Sequence, residues 1–175
     1  MLNLSKAPLI DAQKIAKRIG ELGKQIGGEY DFDIIVGAMT GSFIFVADLC
    51  RAMPKQKAQI KFIKASSYGD STESSQKVQV SGLDSIQVEG ARILLVDDIL
   101  DTGHTMQALV QELSARGAKE IRTCVFLDKP ERREVPIRAD YVGFEIPNAF
   151  VVGYGLDFAD EYRTFPDVWT LEEKQ

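Results

Sequence analysis

Arg92 to Thr105 reads RILLVDDILDTGHT. Ile93, Leu94, Leu95 and Val96 form a near-continuous apolar run, the pattern of a strand covered on both faces. Asp97 and Asp98 then end the run. Asp101 follows in a turn, and Thr102, Gly103, His104 and Thr105 stand where a helix begins, ahead of Met106, Leu109, Val110 and Leu113 at helical spacing and a stop at Gly117. The stretch is a strand, a loop and a helix. Upstream the unit recurs: the apolar run Phe32 to Val36 breaks at Gly37 and Gly41 before a helical run from Phe43 to Met53 that Pro54 ends. Ile121 to Leu127 repeats the buried-strand pattern, and the short apolar stretches Tyr141 to Phe144 and Phe150 to Val152 precede an aromatic-rich tail. Asp11 to Gly27 opens the chain with an amphipathic helix, capped by Asp11 and stopped by Gly27-Gly28. Ile60 to Ala65 and Lys77 to Val80 read as a hairpin whose Ser-rich connection, SSYGDSTESSQ, has almost nothing to bury. Strands alternating with helices predict an α/β fold with a mainly parallel sheet flanked by helices. In such sheets ligands bind beyond the carboxyl ends of the strands, so the loops after Val36, Val96 and Leu127 should converge.

The 175 residues suit one domain, 1–175, with 45% hydrophobic and 27% charged residues. Twenty-one Lys and Arg against 26 Asp and Glu leave a net charge of −5, with no basic run. That excludes a nucleic-acid footprint and attraction to anionic lipid. No window approaches the ~20 apolar residues of a membrane span, and MLNLSKAPLI lacks the core of a signal peptide, so a cytosolic protein is expected. Cys50 and Cys124 sit in apolar surroundings and read as small buried hydrophobes, with neither a disulfide nor a zinc site.

The loop from Asp97 to Thr105 joins two chemistries. A helix N-terminus offers unpaired N–H groups and a positive dipole end, Gly103 lets backbone approach an anion, and Thr102 and Thr105 add hydroxyls: a phosphate cradle. Asp97 and Asp98 supply hard oxygens for a sugar diol or Mg²⁺. Together they suit a sugar phosphate. An isolated acidic pair could simply cap the helix and face solvent. A receiver domain carries its acidic pair after the first strand, and a DxDxT phosphatase needs one residue between aspartates where Asp98 and Asp101 have two.

The string RILLVDDILDTGHT closely resembles the phosphoribosyl pyrophosphate signature of the type I phosphoribosyltransferases. VGAMTGSFIFVADLCR, KASSYGDSTESSQKVQV, LDKPERR and ADYVGFEIPNAFVVGYGLDFADEYR resemble successive blocks of the hypoxanthine-guanine branch of that family, and the blocks cover most of Asp33 to Arg163. The resemblance implies a small hood from the N-terminal segment and C-terminal blocks, and salvage of hypoxanthine or guanine with Mg²⁺ as cofactor. It implies homodimers or homotetramers whose partners are a 6-oxopurine and phosphoribosyl pyrophosphate, with neither nucleic acid nor membrane. Residue by residue, Asp97 and Asp98 would bind the ribose hydroxyls, directly or through Mg²⁺, and Asp101 to Thr105 the 5-phosphate, His104 through its backbone alone. Asp101 would also accept the purine's proton. Lys129 would donate to the 6-oxo group, Phe150 would stack on the base while the backbone of Val151 reads its edge, and Asp157 would be a second Mg²⁺ ligand. Arg163 would contact pyrophosphate together with the backbone of Thr40 and Gly41. Ser67 and Tyr68 fall at the Ser-Tyr position of a flexible lid that would exclude water.

One departure stands out. Relatives carry Lys or Arg before the loop glycine, where this chain has Thr40. The missing cation leaves a second class open, a nucleotide-binding regulator without turnover. Against it, Asp101, Lys129, Asp157 and Arg163 form the complete set that catalysis requires.

Overall fold

A computed structural model describes residues 2–54, 57–68 and 77–173. In chain order they form β1 (Leu2–Leu4), α1 (Ala12–Glu29), β2 (Ile34–Met39), α2 (Phe43–Ala52), β3 (Gln59–Tyr68), β4 (Lys77–Ser81), β5 (Arg92–Leu100), α3 (His104–Ala115), β6 (Glu120–Asp128), β7 (Tyr141–Glu145), β8 (Val151–Val152) and β9 (Trp169–Glu173). The larger sheet runs β4-β3-β2-β5-β6-β7, all parallel except β4, which pairs antiparallel with β3. The expected α/β architecture is present.

Side chains alternate across the central strands, and each face has its own cover. Ile35, Leu94, Val96, Cys124 and Phe126 pack beneath α1 and α2, against Ile15, Ile19, Leu22, Ile26, Phe45 and Leu49. Ile34, Val36, Ile93, Leu95 and Val125 face the other way, onto Met106, Leu109 and Leu113 of α3. This double cover explains why β2 and β5 read as unbroken apolar runs.

Three boundaries differ from the sequence reading. Helix α1 continues through Gly27-Gly28 to Glu29 and ends at Tyr30, whose N–H donates to the carbonyl of Ile26. Two helical glycines cost about 1 kcal/mol each, and the buried stripe through Ile26 carries the helix past them. Strand β5 does not stop at Val96: Asp97 opposes Val125, Ile99 opposes Leu127 and Leu100 opposes Asp128, so the acidic pair belongs to the strand. Pairing with an equally long β6 overrides the polarity of two aspartates. Strand β3 likewise outruns its apolar core, its last residues pairing with β4. The backbones of Ser67 and Tyr68 pair with Val78 and Lys77, while residues 69–76, the body of the expected lid, lie outside the described residues.

A second, three-stranded sheet, β1-β9-β8, joins the two ends of the chain: Leu4 pairs with Leu171 and Val152 with Trp169. This sheet is built from the N-terminal segment and C-terminal blocks that the resemblance assigns to a small hood. Cys124 is buried, Cys50 half-buried, and both are free thiols. Among the described residues no helix is long and apolar enough to cross a membrane.

Candidate active site

From β2 the chain crosses by α2 to β3 on one side, and from β5 by α3 to β6 on the other. The crevice between the carboxyl ends of β2 and β5 is therefore the topological switch point. A cavity of about 320 Å³ lies there, lined by Ala38 to Gly41, Asp97 to Gly103, Thr105, Asp157 and Arg163 among others. Ten of the expected site residues thus share one cavity: Thr40, Gly41, Asp97, Asp98, Asp101, Thr102, Gly103, Thr105, Asp157 and Arg163.

Gly103 caps α3 at φ +94°, a left-handed backbone that a side chain would strain, and provides no side-chain cap for the helix N–H groups. Its Cβ would fall 2.7 Å from Ile137 and 2.8 Å from Val135. The glycine therefore serves the turn and its packing. Glu134 N–H donates to the carbonyl of Thr102 at 2.9 Å, fastening the loop from behind. The N-terminus of α3, which lines the cavity between Thr102 and Thr105, is fit to hold a phosphate.

The β2–α2 loop is equally tight. Fully buried Ser42 donates from Oγ to the carbonyl of Ala38 at 2.5 Å, and a Cβ on Gly41 would land 1.5 Å from Asp98 Oδ2. Only glycine lets the loop and the acidic strand end approach so closely. Asp98 N–H donates to Asp97 Oδ1 at 2.9 Å. Burial, and next the charge of Asp98, push the Asp97 carboxyl well above the ordinary range. Burial raises Asp98 too, while its hydrogen bond with Asp97 and the Arg163 charge restrain it. Two crowded carboxylates with raised proton affinity invite a cation. Among the described residues no group of three or more His, Cys, Asp and Glu could cage a metal. Mg²⁺ is commonly held by one or two carboxylates plus substrate phosphates, so the pair fits that ion.

The opposite wall is the segment from Gly153 to Arg163. Gly153, Tyr154, Gly155, Ala159, Asp160 and Tyr162 all have positive φ, and a Cβ on Gly155 would meet the Gly41 carbonyl at 2.2 Å. Arg163 ties this wall together: it pairs with Asp157 at 2.8 Å and donates to the carbonyl of Gly155 at 2.8 Å. Asp157, expected as a metal ligand, is thus engaged by Arg163 and by Asp160 N–H at 2.9 Å.

Lys129 lies outside the cavity lining but beside it: its N–H donates to the Leu100 carbonyl at 3.0 Å, and its side chain is buried. Burial lowers the ammonium's proton affinity, and the charge of Asp101 acts against that. Phe150 is 52% exposed and meets Phe158 edge-on at 5.6 Å, leaving a ring face open, whereas Val151 is buried in β8. The His104 ring pairs with Glu134 at 2.9 Å. The sequence reading did not single out Ser42, Gly155, Arg132 or Arg133. Arg132 Nε donates to Asp101 Oδ1 at 3.0 Å; Arg133 donates to the carbonyls of Leu100 and Asp101 and to Asp128. The one available signal was the pair of arginines just beyond a buried strand end.

Residues 8–159 match the phosphoribosyl transferase domain family. The chain belongs to the phosphoribosyltransferases. It falls in their hypoxanthine-guanine branch, being 42% identical over 168 residues to a hypoxanthine-guanine phosphoribosyltransferase of Aquifex aeolicus, with 94% of each chain covered. It is 40% identical to a hypoxanthine phosphoribosyltransferase of Escherichia coli, with 90% of each covered. A crystal structure of a Bacillus anthracis hypoxanthine-guanine phosphoribosyltransferase superposes with a TM-score of 0.87 at 36% identity, covering 97% of this chain and 100% of that one. A Staphylococcus aureus hypoxanthine phosphoribosyltransferase gives 0.89 at 36% identity, covering 95% and 91%.

Proposed function

We propose that this enzyme makes a purine nucleoside monophosphate by transferring the 5-phosphoribosyl group of phosphoribosyl pyrophosphate to hypoxanthine or guanine. The observation that carries the reading is the placement of Asp101 and Lys129 together beside a phosphate cradle. Thr102, Thr105 and the N-terminus of α3 hold the 5-phosphate, and Asp97 and Asp98 take the ribose hydroxyls. Gly41, Thr40 and Arg163 face the pyrophosphate. As the anomeric C–O bond breaks and the bond to the purine nitrogen forms, the Asp101 carboxylate accepts the proton that the imidazole must lose. Lys129 donates to the 6-oxo group, a contact that adenine's amino group would oppose with a second donor. Phe150 offers its open face for stacking, and the Val151 backbone reads the base edge. Mg²⁺, held by Asp97 and Asp98, with Asp157 a further ligand once released from Arg163, would neutralise charge on the leaving pyrophosphate.

We place the enzyme in the cytoplasm as a single domain that assembles as a homodimer or homotetramer. Met39, Phe43, Ile60 and Phe62 support the assembly. They are 37–50% exposed and lie on the α2 side of the β2–β3 edge, where Ile35 opposes Ile60 and Gly37 opposes Phe62.

Replacing Asp101 by Asn keeps shape and removes the proton acceptor. Turnover of hypoxanthine should fall by about 10²–10⁴, and binding of Mg²⁺ and phosphoribosyl pyrophosphate should survive. Turnover at the parent rate would falsify the general-base role.

A further inference from the structure

The turn after β6 carries an arginine that none of these roles uses. Lys129 to Arg132 close one 3₁₀ turn: Pro130 stands at its first position, and Arg132 N–H donates to the Lys129 carbonyl at 3.0 Å. Arg132 reaches Asp101 directly, and the Lys129 ammonium lies near enough to feel both charges. The two arginines divide the work. Arg133 is 15% exposed and fixes the loop's backbone through the Leu100 and Asp101 carbonyls, anchored on Asp128. Arg132, 45% exposed, touches the Asp101 carboxylate at Oδ1.

We propose that Arg132 is a positioning residue for Asp101, holding Oδ1 so that Oδ2 stays turned to the purine's imidazole nitrogen. An aspartate at the mouth of a loop has two free torsions, and a guanidinium on one oxygen fixes both. A single rigid turn then sets the 6-oxo donor and the proton acceptor at a constant separation. That separation is the property a 6-oxopurine demands, because its oxygen and its imidazole edge are joined by a rigid ring. The inference rests on the reading of Asp101 as proton acceptor.

The test is a double-mutant cycle in steady-state turnover of hypoxanthine, using the parent, Arg132→Met, Arg132→Lys, Asp101→Asn and the double variant Arg132→Met with Asp101→Asn. Arg132→Met should lower kcat about tenfold, less than the ~10²-fold of an ångström's misplacement because the pair is half in water. KM for phosphoribosyl pyrophosphate should not move, and Arg132→Lys should restore most of the loss. In the Asp101→Asn background, Arg132→Met should cost nothing further. An equal loss in both backgrounds, no loss in either, or a kcat loss matched by a rise in that KM overturns the positioning role. Parent-rate turnover by Asp101→Asn alone instead overturns the general-base reading, so the two failures are separable. Thermal melting of Arg132→Met at the parent temperature excludes a folding defect, since the half-exposed side chain fills no core.

Discussion

In the role proposed for Lys129, identity at one position would select a substrate class. Its side chain is buried at the strand end, so its donor must find an acceptor there. Lys129→Ala should raise KM for hypoxanthine by about 5- to 150-fold, the range of a lost buried hydrogen bond of ~1–3 kcal/mol. Binding of phosphoribosyl pyrophosphate should not change. Equal hypoxanthine KM values in parent and variant would remove Lys129 from the base site. Gly41 has the opposite character, acting through what it lacks, because any Cβ would displace the Asp98 carboxylate. Residue type alone does not separate Lys129 from a solvated loop lysine or Gly41 from an ordinary turn glycine; only packing distinguishes an essential absence from a convenient one.

At the scale of elements, strand β5 is a stable scaffold with an unstable end. Burying two adjoining carboxylates opposes folding, and raised carboxyl proton affinity means the folded state binds protons more readily than the unfolded chain. For a group raised in this way, stability falls as pH climbs from the ordinary carboxylate range toward the raised folded value. Without Mg²⁺ or phosphoribosyl pyrophosphate, Asp97→Asn should therefore melt higher than the parent at neutral pH, by about 2–4 °C per kcal/mol relieved in a chain of this size. The same variant should lose the rise in melting temperature that Mg²⁺ with phosphoribosyl pyrophosphate gives the parent. A variant that melts lower would show that Asp97 supports the fold directly.

The core elements were legible because periodicity reports burial: Ile34 to Val36 and Ile93 to Val96 have no polar face to conceal. The acidic end of β5 was not, since strand pairing with β6 decides it and a single strand does not display its partner. That one wall of the cavity would be Asp97 to Thr105 was legible because those residues are contiguous. Arg132 and Arg133 reach Asp101 from about thirty residues downstream. No local spacing records that contact.

Across the whole molecule, the apolar strip of Met39, Phe43, Ile60 and Phe62 begins at the loop that carries Thr40 and Gly41. If the proposed assembly uses this strip, Phe62→Asp should shift sedimentation toward the monomer and, through Gly37, against which Phe62 packs, loosen the loop of Thr40 and Gly41. An unchanged sedimentation coefficient would place the assembly contact elsewhere.

Folding order follows from the hood. Its strand β1 pairs with β9, and the hydrogen bond between Thr170 and Ser5 spans 165 residues. A ribosome adding about 5–20 residues per second leaves β1 without its partner for roughly 10–30 s, long after β2 and β5 have emerged. During synthesis Asp97 to Thr105, which we propose hold the sugar phosphate, thus emerge well before the sheet of β1, β9 and β8 can form. Val151, whose backbone we propose reads the base edge, has no strand partner until β9 arrives.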